Sequence, residues 1–310
     1  MLLPPIKTLE DSTTMAELFI AIDGDDKNPG TIDQPFATLN RAKQVVSSRR
    51  AKVAEPVTVY LRDGTHFLDE PFMLQPPDSG SALAPTTYAA YPSEKPVLSS
   101  GVRLTGWQST RVNGLPVWVA QAPPWSFHQL WVGDMRRDRP RLPKHGLYRI
   151  KKTPASDNPY LGQKMFTAEP GAIGTWKNLG DADAVVMTAW VDSRMPIKSA
   201  DAASGVVKCE LRAALAMRTE GANPSRFYID NVFEAFDEPG LWYHDKRLHK
   251  VYYLPFPGED LSTVEVVVPR HKSVVTIQGN VDNADYVEYI RFQGITFAHS
   301  EWWRTPAAKI

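Results

Sequence analysis

The chain has 310 residues, 43% of them hydrophobic and 23% charged, with Lys+Arg and Asp+Glu both at 35 and a formal net charge of zero. That length holds one large domain or two smaller ones, and the composition is ordinary for a globular protein. Balanced charge excludes the basic surface that a nucleic-acid or anionic-membrane partner requires. No segment has the uninterrupted apolar length of a membrane span. Residues 1–16 read as a tail, with Pro4, Pro5, Lys7, Glu10 and Asp11 where a signal peptide has its apolar centre, so no such signal is visible. The single cysteine, Cys209, excludes an intrachain disulfide and a thiolate metal cluster and reads as a small buried hydrophobe.

A short apolar strand ends at Ile20 and runs into the turn Asp23-Gly24-Asp25-Asp26-Lys27-Asn28-Pro29-Gly30-Thr31. Asn, Asp and Gly suit such a turn because they tolerate positive φ and bond their own backbone. Thr38 is a sound N-cap, and Leu39, Ala42, Val45 and Val46 then share one helical face. Short strands follow at 56–61, 66–68, 72–74, 86–90 and 96–98, separated by turns such as Asp63-Gly64. Their close spacing suits a coil of stacked rungs over residues 17–107 better than a sandwich.

Residues 108–269 read differently. Val117-Trp118-Val119-Ala120 and Gln129-Leu130-Trp131-Val132 are strands, Gly133-Asp134 is a hairpin turn, and further strands are expected at 184–187, 206–211 and 264–268. With no long helix between them, these predict an antiparallel insertion, a β-sandwich-like domain or a curled sheet. Residues 226–236 read as a short apolar turn of helix. A Pro239-Gly240 turn and a hairpin pairing Trp242 and Tyr243 with Tyr252 and Tyr253 follow.

The segment 20–46 resembles the opening of secreted right-handed parallel β-helix proteins that act on polysaccharides, in which a short helix caps the coil. Asp63-Gly64-Thr65-His66, residues 91–97 and residues 129–136 resemble the same family, and Tyr289-Ile290-Arg291-Phe292-Gln293-Gly294-Ile295-Thr296-Phe297 resembles the first strand of its main coil. The most specific likeness is residues 226–255, which resemble a block of β-helix glycoside hydrolases related to α-L-fucosidases and xylanases. Two departures stand out. Leu241 replaces a charged residue, and the hairpin Asp245-Lys246-Arg247-Leu248-His249-Lys250-Val251 has lost its Gly.

The resemblance implies an all-β fold: the start of a right-handed parallel β-helix with an N-terminal capping helix and the inserted antiparallel domain. Residues 270–310 would begin the main coil, and the chain is expected to be the N-terminal part of a longer protein. Relatives are extracellular or periplasmic. They use two carboxylates, one as general acid and one as nucleophile or base, and these are expected beyond Ile310. The implied partner is a poly- or oligosaccharide, and an exposed coil end favours self-association. No cofactor or metal is implied: the GxSxG, HExxH, Walker and GxGxxG motifs are missing, and the seven His lack metal spacing.

Several residues carry a functional reading and a structural one. Asp23, Asp25, Asp26 and Asn28 offer Ca²⁺ ligands, but their spacing is not that of an EF-hand and a structural turn is preferred. Adjacent Asp237 and Glu238 would point apart on an extended chain, which favours a solvated turn over a catalytic pair. Arg136, Arg137, Arg139 and Arg141 suit a uronate carboxylate, or form a salt-bridged face. Glu301 and Asp192 are the acids nearest the expected cleft edge. Trp190, Arg194, His299, Trp302 and Trp303 are the candidate substrate contacts, set against ordinary packing for the tryptophans. Three functions follow: an N-terminal portion of a glycoside hydrolase acting on plant or microbial polysaccharide, inactive alone; a polysaccharide lyase relative using the Arg cluster; or a non-catalytic carbohydrate-binding or scaffold protein.

Overall fold

A computed structural model describes residues 16–302 apart from 157, 159, 222 and 261. The fold is all-β, with one α-helix, Leu39–Arg50, and three single 3₁₀ turns among the described residues. None of these helices is long and apolar enough to cross a membrane. The chain divides into two compact units, one of residues up to 101 with 271–300, the other of 102–270 with 301 and 302.

The named strands of the first unit pair in parallel. Ala16–Ile20, Val57–Leu61, Thr86–Ala90 and Ile290–Gln293 form one sheet in that order, in a register that aligns Leu18, Val59, Tyr88 and Phe292. Thr65–Phe67, Val97–Ser99 and Thr296–Ala298 form a second, and Phe72–Leu74 with Val275–Ile277 a third. After Ala16–Ile20 the chain enters the three sheets in a fixed cyclic order. Aligned positions therefore stack their apolar side chains into one core: Tyr88 is stacked on Phe292 at 5.4 Å and meets Phe72 edge-on at 5.2 Å. Residues 289–297, which read as one strand, form two strands in different sheets, because Gly294 turns the chain at φ 70°.

The helix packs Leu39, Ala42 and Val46 into the same core. Its start is fixed by the Asp-rich turn. Thr38 Oγ1 accepts the Arg41 N–H at 3.1 Å, the capping bond expected of it. Asp26 then holds the cap: Oδ1 accepts the N–H groups of Ala37 and Thr38 at 3.0 and 2.9 Å, and Oδ2 accepts the Thr38 hydroxyl at 2.7 Å. Gly30 lies at φ 82° with its α-carbon against the Phe36 ring, where a Cβ would fall 2.2 Å from a ring carbon. Asp26 thus ties this loop to the start of the helix.

The strands of the second unit pair mainly antiparallel around two large cores and a small one of Val117, Phe236, Tyr243 and Leu254. Around one large core, the strands Arg226–Asp230, Tyr148–Lys152, Met165–Ala168, Val206–Cys209, Asp192–Asp201 and Asp183–Met187 pair in succession, and the last pairs back onto the first. The sheet therefore closes on itself and leaves no free edge within the ring. Phe166, Val186, Ile197, Val207, Phe227 and Ile229 fill it. Cys209 also lies inside, and burial pushes its thiol up to about 12. Residues 226–230, read as a turn of helix, form a central strand of this ring. Phe227 and Ile229 alternate with Tyr228 and Asp230, and the helical turn is confined to Phe233–Ala235.

The second large core lies between two four-stranded sheets. One sheet holds Gln108–Val112, Leu115–Gln121, Lys250–Tyr253 and Trp242–Asp245. The other holds Met135–Arg137, Leu130–Val132, Val266–Pro269 and Gly101–Arg103, the strand at which this unit begins. Trp242 faces Tyr253 and Tyr243 faces Tyr252, the expected cross-strand pairs. His249, in the turn that lacks a Gly, takes the left-handed conformation at φ 51°.

Replacing Asp26 by Ala removes three bonds at the helix start and is expected to cost about 1–2 kcal/mol in urea unfolding. Asp23→Ala, on the exposed side of the same turn, is expected to change stability by less than about 0.5 kcal/mol.

Candidate functional site

A cleft of the second unit has a volume of about 600 Å³ and is lined by charged side chains. Its floor follows from strand register. Asp183 and Asp230 are directly paired on neighbouring strands of the ring, and Arg141 pairs with Asp230 on the other side. Like charges directly opposite destabilise a sheet, and both carboxylates are buried. They persist because two guanidinium groups bridge them. Arg139 donates from Nε and Nη2 to Asp230 Oδ2 at 3.1 and 2.5 Å, and from Nη2 to Asp183 Oδ2 at 3.0 Å. Arg194 Nη1 donates to Asp230 Oδ2 and lies 3.5 Å from Asp183 Oδ2.

His128 joins this cluster to Glu301. Its Nε2 is 3.6 Å from Asp183 Oδ2 and its Nδ1 is 3.7 Å from Glu301 Oε1. Glu301 is 3% exposed and accepts two backbone N–H groups, from His128 at 2.7 Å and from Trp302 at 2.8 Å. Behind His128, Phe127 stacks on His244 at 4.5 Å and on Trp242 at 5.6 Å.

The electrostatics follow from burial and charge. Burial alone would raise the Asp183 carboxyl, but Arg139, Lys246, His128 and Arg194 together hold it down at about 2. Asp230 is likewise held below the usual carboxylate range, its burial outweighed by Arg139 and Arg194. His244 is pushed down to about 3, first by burial and then by the nearby cations Lys246 and Arg139.

The structure brings three of the sequence-predicted residues to this cleft: Glu301, Arg194 and Trp302, the last 56% exposed. All four arginines of the 136–141 run line it too. Asp192 is exposed at the start of its strand, opposite Met187, and Trp190, 83% exposed, sits in the tight turn before it; neither lines the cleft. His299 belongs to the first unit, where its Nδ1 lies 2.8 Å from Ser99 Oγ. Trp303 lies outside the described residues. Asp237 and Glu238 both accept from Lys144 Nζ, at 2.7–2.8 Å, on an exposed turn. Among the described residues no group of three or more His, Cys, Asp or Glu side chains fits a metal ion.

His128, Asp183, Asp230 and Tyr228 were not singled out from the sequence. Asp183 had one visible signal, an acid immediately before the apolar run Ala184-Val185-Val186-Met187. Its partner Asp230 lies within the block of strongest resemblance, but only the register joins the two.

No protein-family model and no curated protein matches the chain. Among solved structures, a chain described as a glycoside hydrolase superposes with a TM-score of 0.73 at 29% identity over 93% of this chain. This chain spans about half of that one, 51%. Two others were found: the complex of XylC with xylose (17% identity, 94% of this chain and 37% of that one, TM-score 0.39) and a rhamnogalacturonan lyase (29% identity, 26% and 21%, TM-score 0.22). At those scores neither bears on the fold. The all-β architecture is therefore shared with a carbohydrate-active structure.

Two outcomes follow from the buried cluster. Arg139→Met leaves two buried carboxylates with one guanidinium and is expected to destabilise the chain by about 3–5 kcal/mol in denaturant unfolding. The second concerns pH. The unfolded chain protonates His244 near its ordinary value of about 6.5 and Asp183 near about 3.9, whereas the folded chain resists until about 3 and about 2. Both folded values are depressed, so the unfolded state binds more protons as pH falls. Stability is expected to decline from about pH 6.5 downward and again between about 4 and 2, and His244→Gln should remove the upper part of that slope.

Proposed function

We propose that this chain is a portion of a carbohydrate-active protein of the glycoside-hydrolase type. In this reading the first unit is the start of a right-handed parallel β-helix capped by the Leu39–Arg50 helix, and the cleft of the second unit holds part of a poly- or oligosaccharide. The observation that carries the reading is the likeness to the glycoside hydrolase, at a TM-score of 0.73 over 93% of this chain. The recurrent cyclic order in which the chain enters the three parallel sheets supports the β-helix. The lining of the cleft supports the ligand class. Guanidinium donors, carboxylate acceptors and the exposed Trp302 ring suit the hydroxyls and flat faces of a sugar.

The same cleft argues against turnover by this chain alone. Glycoside hydrolysis needs one carboxyl that keeps its proton and a second carboxylate, roughly 5–5.5 Å away for retention or roughly 6.5–9.5 Å for inversion. Asp230 is held as an anion by Arg139 and Arg194. Both oxygens of Glu301 accept backbone N–H groups, and Asp192 does not line the cleft.

The expected result is saccharide binding in calorimetry, with no release of reducing sugar from fucosides, xylosides or xylan. Turnover by the purified chain, abolished in Glu301→Gln, would overturn the inactive reading. Failure to bind any saccharide would overturn the assignment of the cleft.

A further inference from the structure

Six Arg and Lys side chains line the cleft, and their partners divide them into two kinds. Arg137 is paired with Glu259, Arg139 and Arg194 with Asp183 and Asp230, and Lys144 with Asp237 and Glu238. Arg136 and Arg141 are held, among the described residues, by neutral groups. Arg136 Nη1 donates to Gln129 Oε1 at 3.3 Å. Arg141 donates from Nε to the Pro143 carbonyl at 3.1 Å and from Nη2 to the Gly146 carbonyl, and its guanidinium lies 4.0 Å from the centre of the Tyr228 ring.

The distinction matters for what the cleft attracts. A guanidinium already facing a carboxylate of the protein has little charge left for a ligand. One oriented by carbonyls keeps its full charge, and charge-assisted bonds are about twice as strong as neutral ones. Arg141 is also fixed in plane by the Tyr228 face, so little side-chain entropy is lost when a second anion binds its free N–H groups. Asp138, exposed on the same wall, supplies acceptors for ring hydroxyls.

From this division we infer that the cleft takes a saccharide carrying a carboxylate, a uronate unit, with Arg141 and Arg136 binding the carboxylate and Asp138 accepting from its hydroxyls. This rests on the saccharide-binding reading above and narrows it to acidic sugars.

The test is calorimetric titration of the full chain with two matched pairs: oligogalacturonate against its methyl ester, and xylotetraose with against without a glucuronate branch. The charged member of at least one pair is expected to bind about tenfold tighter at low salt, with the preference shrinking as salt rises. Arg141→Gln should abolish that preference. Because Arg141 also anchors the 143–146 loop, Arg136→Gln, an exposed change, provides a second variant and should lower the preference by about two- to threefold. Equal affinity within both pairs overturns the inference and leaves saccharide binding intact. A preference that survives both substitutions overturns the assignment to these arginines. No binding of any of the four ligands overturns the saccharide-binding reading itself.

Discussion

Two carboxylates lie side by side where the ring of strands closes, and two guanidinium groups bridge them. The seam between Arg226–Asp230 and Asp183–Met187 is what turns an open sheet into a ring, and the pair Asp183–Asp230 stands at its end. Without cations this juxtaposition would push the strands apart. Arg139 and Arg194 reverse its sign, and the same side chains form the floor of the cleft. Closure of the ring and placement of the cleft are thus one electrostatic event. Desolvating so many ions is costly, and an apolar replacement of similar shape is often no less stable. What the ion cluster contributes is a defined register and a polar floor.

The two units solve the problem of sheet edges in different ways. The ring has none, because its last strand pairs with its first. The parallel sheets of the first unit end in Val275–Ile277, Ile290–Gln293 and Thr296–Ala298, each at the margin of its sheet. There Ile277, Tyr289 and Phe297 are all exposed. A closed antiparallel sheet has its size fixed by strand number and stagger, while a stack of parallel passages grows by one strand per sheet each time the chain comes round.

Much of the first unit was legible in the sequence because its determinants are local. Thr38, the Asp-rich turn and the Leu39, Ala42 and Val46 face define the helix within a few residues, and short strands bounded by Gly and Asp are recognisable one at a time. The hairpin of Trp242 and Tyr243 with Tyr252 and Tyr253 was legible for the same reason. The ring was not, because the pairings that close it join segments distant in sequence: Met165–Ala168 pairs with Val206–Cys209, and Arg226–Asp230 with Tyr148–Lys152 and Asp183–Met187. The apolar spacing of residues 226–236 does not distinguish a strand followed by a single 3₁₀ turn from a turn of helix. The cleft was legible in part. The arginine run, Arg194 and Glu301 were marked by charge. Asp183 and Asp230 gain their meaning only from standing opposite each other, which no linear pattern reveals.

One hydrogen bond in the first unit bears on how such a chain is assembled. The N–H of His271 donates to the Ser100 carbonyl at 3.1 Å, so the chain leaves this unit and returns to it at a single point. Pairing Thr86–Ala90 with Ile290–Gln293 before the intervening residues have folded means closing a very long loop, whose entropic cost grows with length. Once 102–270 has compacted, that loop is reduced to two adjacent ends. Compaction of 102–270 thus makes a contact that is distant along the chain local for the strands that follow it.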